Sequence, residues 1–293
     1  MSGLRRLIVF GDSWPRGHRR TDLEDGTSIW NHVEEPFPVL LGKQLGWETL
    51  NFAKSGNTNH IIGMDFWDYI NVQYKEGDVV LFVWTEWNRM TLRDTRHLKG
   101  KVTCSNHLKY IKKGWWDKFV GFPYYGWQTL RDNDIHVEDT TETVDDIFYK
   151  RTNTYFAYKM VQKVCEEKGI PYLSINSIES DGFRERLKVP DKKDPSRYSL
   201  HKEISGFRPC FDRHDPNWIE VENDNNTLLD IVTGRWLAKE KKATHAEHKR
   251  WANNHCTRGD FPLLNKDCFH PNEEGHEKIT EVLLPYIKKL VEE

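Results

Sequence analysis

The stretch Leu7-Ile8-Val9-Phe10-Gly11-Asp12-Ser13-Trp14 decides how this chain is read. Four apolar residues that stop on a glycine read as a buried strand running into a tight turn. Ser13 then stands at the carboxyl end of a strand, where open α/β sheets place their ligands. A serine there is a candidate nucleophile only if a base can reach it. Near the other end of the chain, Asp267-Cys268-Phe269-His270 precedes the last helical segment. Asp267 and His270 lie three apart in a loop entering that helix, so one rigid turn can hold both. Ser13, His270 and Asp267 supply a nucleophile, a general base and an orienter. His276 is the competing base, but it falls inside the helix, where a surface position is expected.

Outward from the serine turn, residues 15–35 are rich in Arg, Asp and His and read as a polar loop, either shaping the mouth of the site or simply solvated. Phe37, Leu40, Leu41 and Leu45 have helical spacing over Pro36–Leu45, and Gly46 stops that helix. Thr49–Ala53 reads as a second strand. Lys54–Asn59 is a turn opening onto a helix from Ile61 to about Tyr74, with Asn57 or Thr58 as its cap. Amides at such a helix start favour negative charge. Gly56 has no Cβ to block approach to its N–H, which suits an oxyanion donor; the same glycine also suits a turn needing positive φ.

Val79–Trp84 is a continuous apolar run and reads as a buried parallel strand. Asn88, at its carboxyl end, can donate from its side-chain amide, with Glu86 as a charged alternative in the same turn. Thr143–Lys168 reads as a helix ended by Gly169, and Ile170–Ile175 as the next strand, one αβ unit of a parallel sheet. In the last segment Pro271 fits a first helical turn, and Ile279, Leu283, Tyr286 and Leu290 form a face able to cover the sheet. The pattern is one α/β domain over 1–293, with insertions at about 90–140 and 180–247. In the second, Leu228–Val232 fits a short strand or a helical turn. In the first, the aromatic stretch Gly114–Trp127 fits a sugar-stacking platform, although packing against the sheet or a subunit contact is the simpler reading.

Composition narrows the partners. The 293 residues carry a net charge of −2, which gives no broad nucleic-acid surface. No apolar run is long enough to cross a bilayer, and the arginines before Leu7 introduce too short a run for a secretory signal, so a cytoplasmic protein is expected, or one later carried in a virion. The five cysteines are scattered without a Cys-x-x-Cys and read as free thiols, Cys268 packing inward in its loop. His245, His248, His255 and Cys256 match no standard zinc spacing, so no metal is expected. A nucleotide-binding reading is poorer, because the first turn lacks a phosphate-cradling glycine pattern.

With these blocks in order, the chain resembles the SGNH/GDSL hydrolase family. Gly11-Asp12-Ser13 matches its nucleophile motif, Asn51–Asn57 with Gly56 its second block, Asn88 is the nearest match to its third-block asparagine, and Asp267-x-x-His270 matches its last block. The third block departs from the family's usual Gly-x-Asn-Asp. The resemblance implies a flavodoxin-like three-layer α/β/α sandwich around a parallel sheet. It implies a serine esterase with an acyl-serine intermediate, needing no cofactor, whose oxyanion hole comprises the Ser13 N–H, the Gly56 N–H and the Asn88 side chain. Esters of small molecules or glycans are the expected substrates, with O-acetylated carbohydrate preferred. The alternative is a binding or assembly protein on the same fold, for example in a phage particle, oligomerising through the aromatic insertions.

Overall fold

The computed structural model describes residues 5–85, 90–91, 123–124, 144–178, 186–190, 198–203, 215–219, 227–234, 259–266, 268 and 270–292. Four strands form the central sheet: β1 (Arg6–Phe10), β4 (Glu48–Asn51), β5 (Val79–Trp84) and β8 (Tyr172–Asn176). All pair in parallel, in the order β4-β1-β5-β8. A parallel bridge from Ser174 to Trp218 adds the beginning of a further strand beyond β8.

The period of two in the strands sorts side chains onto two faces. Leu7, Val9, Leu81, Val83, Leu173 and Ile175 point to one side. There they meet α2 (Phe37–Leu45), α5 (Leu228–Thr233) and α6 (Glu273–Glu292). Ile8, Phe10, Val80, Phe82 and Trp84 point to the other, against α3 (Asn59–Val72) and α4 (Val144–Lys168). The second face is largely aromatic: Phe10, Phe82 and Trp84 stack in sequence, and Phe66 of α3 meets Phe10 and Phe82 edge-on. The expected three-layer α/β/α arrangement is therefore present. Its parallel strands are buried on both faces, which is why β1 and β5 read as unbroken apolar runs.

The expected loop at 15–35 is instead ordered secondary structure. A one-turn helix, α1 (Ser13–Arg16), leads into an antiparallel hairpin of β2 (His18–Asp22) and β3 (Ser28–His32). Its turn is built on Asp25-Gly26. Leu23 N–H donates to Thr27 O, and Asp25 Oδ1 accepts from both the N–H and the hydroxyl of Thr27. Leu228–Thr233 is a helix: Thr227 Oγ1 caps it by accepting the Asp230 N–H and donates its own hydroxyl to the Asp230 carboxylate. Pro271 precedes the α6 helix rather than opening it; Asn272 Oδ1 accepts the Gly275 N–H there.

Most of the two insertions lies outside the described residues. Within them the structure gives two short antiparallel pairs, β6 (Met90–Thr91) with β7 (Pro123–Tyr124) and β9 (Arg186–Pro190) with β10 (Tyr198–Glu203). Gly114–Trp127 apart from Pro123-Tyr124, His245, His248, His255, Cys256, Cys104 and Cys210 also lie outside. Cys165 and Cys268 are free thiols. Among the described residues no helix is long and apolar enough to cross a membrane, and no group of side chains could hold a metal ion.

Candidate active site

The site is built at the carboxyl edge of the sheet, where β1 has its neighbours on opposite sides and the connecting helices part to the two faces. Gly11 ends β1 in a space with no room for a side chain. A Cβ there would lie 2.5 Å from Pro15 Cγ and 3.0 Å from both Val83 Cβ and the Val83 carbonyl oxygen. Asp12 follows and is wholly buried. Its carboxylate accepts the Trp14 N–H at 3.0 Å, capping α1. It also accepts the Thr85 hydroxyl at 2.7 Å and the Ser177 hydroxyl at 3.2 Å. One side chain thus ties together the ends of β1, β5 and β8, and the backbone that carries Ser13 is fixed from below.

Ser13 and His270 meet. The Ser13 hydroxyl lies 2.8 Å from His270 Nε2, across 257 positions of sequence. His270 Nδ1 lies 2.7 Å from the Cys268 carbonyl oxygen. A carbonyl can only accept, so this contact places the proton on Nδ1. A neutral ring then presents its lone pair at Nε2, toward the serine. The loop holding His270 is braced by its own backbone: Asn265 N–H donates to His270 O, and Asn272 N–H to Leu263 O. The hairpin grips the same loop from the side. Arg20 N–H donates to Cys268 Sγ at 3.2 Å, and Arg19 pairs with Glu273. Cys268 is half-buried, in line with the inward packing expected for it.

The turn with Gly56 sits at the same edge. Asn57 Nδ2 and the Lys54 N–H both donate to Gly11 O, at 3.0 and 3.2 Å. Gly56 is buried with φ +76°, a conformation that side chains other than glycine rarely adopt. Thr58, one of the two expected caps, accepts the Ile61 N–H at the start of α3. Asn59 bonds the Thr85 backbone in both directions, fastening α3 to the end of β5. Asn88, Glu86 and Asp267 lie outside the described residues.

His276 is not on the surface. It is fully buried and stacked on Phe37, and its Nδ1 accepts the Phe37 N–H at 3.3 Å. The N-cap of α2 is Pro36, which offers no side-chain acceptor, so a histidine from α6 serves instead. Burial, then the neighbouring His270, pushes the His276 imidazole down to about 3, which keeps it neutral and able to accept. The sequence signal was its place on the stripe His276, Ile279, Leu283, Ile287, all buried. Thr85 and Ser177 carried no recognisable sequence signal beyond standing at strand ends, and Asp12, legible as part of the Gly11-Asp12-Ser13 motif, gave no sign that its carboxylate joins three segments.

A parallel α/β sheet with a serine–histidine pair at its carboxyl edge is thus the class that fold and site define. No protein-family model and no curated protein sequence matches the chain. Solved structures give loose overlaps. A member of the lipolytic protein G-D-S-L family from Veillonella parvula DSM 2008 is 11% identical, over 97% of this chain and 99% of that one, with a TM-score of 0.34. An α/β hydrolase enzyme from the metagenome of Lake Arreo, Spain, is 13% identical, over 98% and 96%, with a TM-score of 0.37. A catalytic mutant of an acetylxylan esterase from Geobacillus stearothermophilus is 15% identical, over 98% and 94%, with a TM-score of 0.34. Overlaps this loose bear on no residue of the site; its chemistry stands on the Ser13–His270 contact.

Proposed function

We propose that the chain is a serine ester hydrolase. The observation that carries this reading is the 2.8 Å contact between the Ser13 hydroxyl and His270 Nε2, with the Nδ1 proton held by the Cys268 carbonyl. A serine hydroxyl is a poor nucleophile at neutral pH unless a base takes its proton as it attacks. In this mechanism Ser13 Oγ adds to the ester carbonyl while its proton passes to His270 Nε2. The tetrahedral intermediate collapses, the C–O bond to the leaving group breaks, and His270 returns the proton to the departing oxygen. Water then repeats the sequence on the acyl-serine, releasing the acid and restoring Ser13.

Asp267 stabilises the imidazolium that forms in both halves. The Ser13 N–H, the Gly56 N–H and the Asn88 side chain receive the oxyanion; one such donor is worth about 3–4 kcal/mol of barrier. The preferred substrate is an O-acetylated carbohydrate.

The test is hydrolysis of p-nitrophenyl acetate by wild type, Ser13→Ala and His270→Ala, followed by mass-spectrometric screening of acetylated glycans. Each substitution is expected to lower kcat about 10³-fold or more. Equal rates in wild type and Ser13→Ala would remove Ser13 from the mechanism.

A further inference from the structure

Beside the Ser13–His270 contact stands a second imidazole that no step above uses. Gly17 ends α1 in the left-handed conformation, and the chain turns directly into β2 with His18. The His18 ring is stacked on His270, with centroids 5.6 Å apart and planes 27° apart. Trp14 also borders the His270 ring, at 6.4 Å between centroids. His18 Nδ1 shares a hydrogen bond with Ser55 Oγ, and Ser55 immediately precedes Gly56.

We propose that His18 is a positioning residue: its ring keeps the His270 imidazole turned toward Ser13, and its bond to Ser55 ties that ring to the turn carrying the Gly56 amide. The inference rests on the serine-hydrolase reading and adds to it a residue that couples base to oxyanion site.

The physical need is specific. Rotation of a histidine ring about its last side-chain bond is broad, so edge contacts alone leave it room to swing. A second ring set alongside it, offset and near-parallel, narrows that room. During the reaction His270 becomes cationic, and a neutral aromatic face is then a favourable neighbour, whereas a second cation would oppose the charge. His18 therefore has to stay neutral. Among the described residues, the titratable and charged groups facing it are His270 from the loop before α6, His32 from β3 at 5.5 Å between centroids, and Arg16 from α1. Burial first, then His270, His32 and Arg16, push His18 down to about 4, leaving it uncharged at neutral pH.

The experiment is a set of pH–rate profiles for p-nitrophenyl acetate hydrolysis by wild type, His18→Ala, His18→Phe, His18→Lys and Ser55→Ala. His18→Ala is expected to lower kcat roughly 10- to 100-fold through misplacement of His270, with KM changed less than about threefold. His18→Phe keeps a ring but loses the Ser55 bond, and Ser55→Ala loses the same bond from the other side. Both should fall between wild type and His18→Ala. His18→Lys sets a fixed positive charge beside His270 and should move the acid limb of kcat/KM to lower pH. Wild-type kcat in His18→Ala, with an unmoved acid limb in His18→Lys, overturns the proposal and leaves the esterase reading intact. If His18→Ala does not fold, wild-type kcat in both His18→Phe and Ser55→Ala overturns it equally. A wild-type protein that cleaves no ester and whose Ser13 resists a fluorophosphonate sinks the hydrolase reading and this inference together.

Discussion

At the amino edge of the sheet, Arg6 of β1 meets Asp78 in a bidentate ion pair, Nε to Oδ1 at 2.7 Å and Nη2 to Oδ2 at 2.6 Å. Tyr69 of α3 donates its hydroxyl to the same carboxylate, the Lys75 N–H donates to it at 2.8 Å, and Arg6 also reaches the Gln73 carbonyl. Burial works to raise the Asp78 carboxyl, but Arg6, Tyr69 and the Lys75 amide together hold it below its ordinary value. At the carboxyl edge another buried carboxylate, Asp12, accepts neutral donors from three segments, and the next residue offers its hydroxyl to an imidazole. Both edges spend a buried aspartate on joining strands. Among the described residues, only the second carries a serine–histidine contact above the joint. The amino edge is a clamp; the carboxyl edge is a clamp that carries the proposed chemistry.

Substitutions can separate the two. The largest effect on stability is expected at the amino edge. Arg6→Ala leaves Asp78 buried without its cation and should cost about 3–5 kcal/mol in urea unfolding. Ester hydrolysis per folded molecule should stay near wild type, because Ser13 is at the far end of β1. Asp12→Ala should cost less, about 2–4 kcal/mol, from the lost α1 cap and the unpaired Thr85 and Ser177 hydroxyls. It should nevertheless lower kcat about 100-fold, since a shift of about 1 Å in a reacting group has that effect. If the two variants ranked the other way in activity, the division between the edges would be wrong.

A smaller effect comes from pH. His18 is held down to about 4 and His276 to about 3, both from 6.5. Between these values the unfolded chain binds more protons than the folded one, so stability rises with pH there. Equivalently, stability is lost as pH falls from about 6.5 toward 3. The urea midpoint should track this, and His276→Phe should flatten the slope while losing about 1 kcal/mol for the unaccepted Phe37 N–H. A slope unchanged by that substitution would mean that His276 takes up its proton alike in the folded and unfolded protein.

The strands and helices that position Ser13 were legible because their patterns are strong. Leu7–Phe10 and Val79–Trp84 are buried on both faces, and Gly46 and Gly169 end their helices as read. The meeting of Ser13 with His270 was legible as well, from a serine at a strand end and a histidine before a terminal helix. The hairpin at 18–32 was not, because its strands alternate few apolar residues and half of it is solvated; Asp25-Gly26 was the usable signal. Strand β8 starts two residues later than its apolar run, since the Ile170 N–H still donates back to Cys165 O in the end of α4. His276 was misplaced because histidine reads as polar, although its spacing from Ile279 and Leu283 put it on the buried stripe. His18 has no sequence signature at all: its importance comes from a ring contact with a residue 252 positions away.

The central claim is that the Ser13 hydroxyl is activated by His270. Labelling of the folded protein with a fluorophosphonate, read by peptide mass spectrometry, measures this most directly. The expected result is a single adduct on Ser13 in wild type and at least about 100-fold slower labelling in His270→Ala. Labelling at an equal rate in both proteins, or no adduct on Ser13 in folded wild type, would contradict it and favour a binding or assembly protein on the same fold.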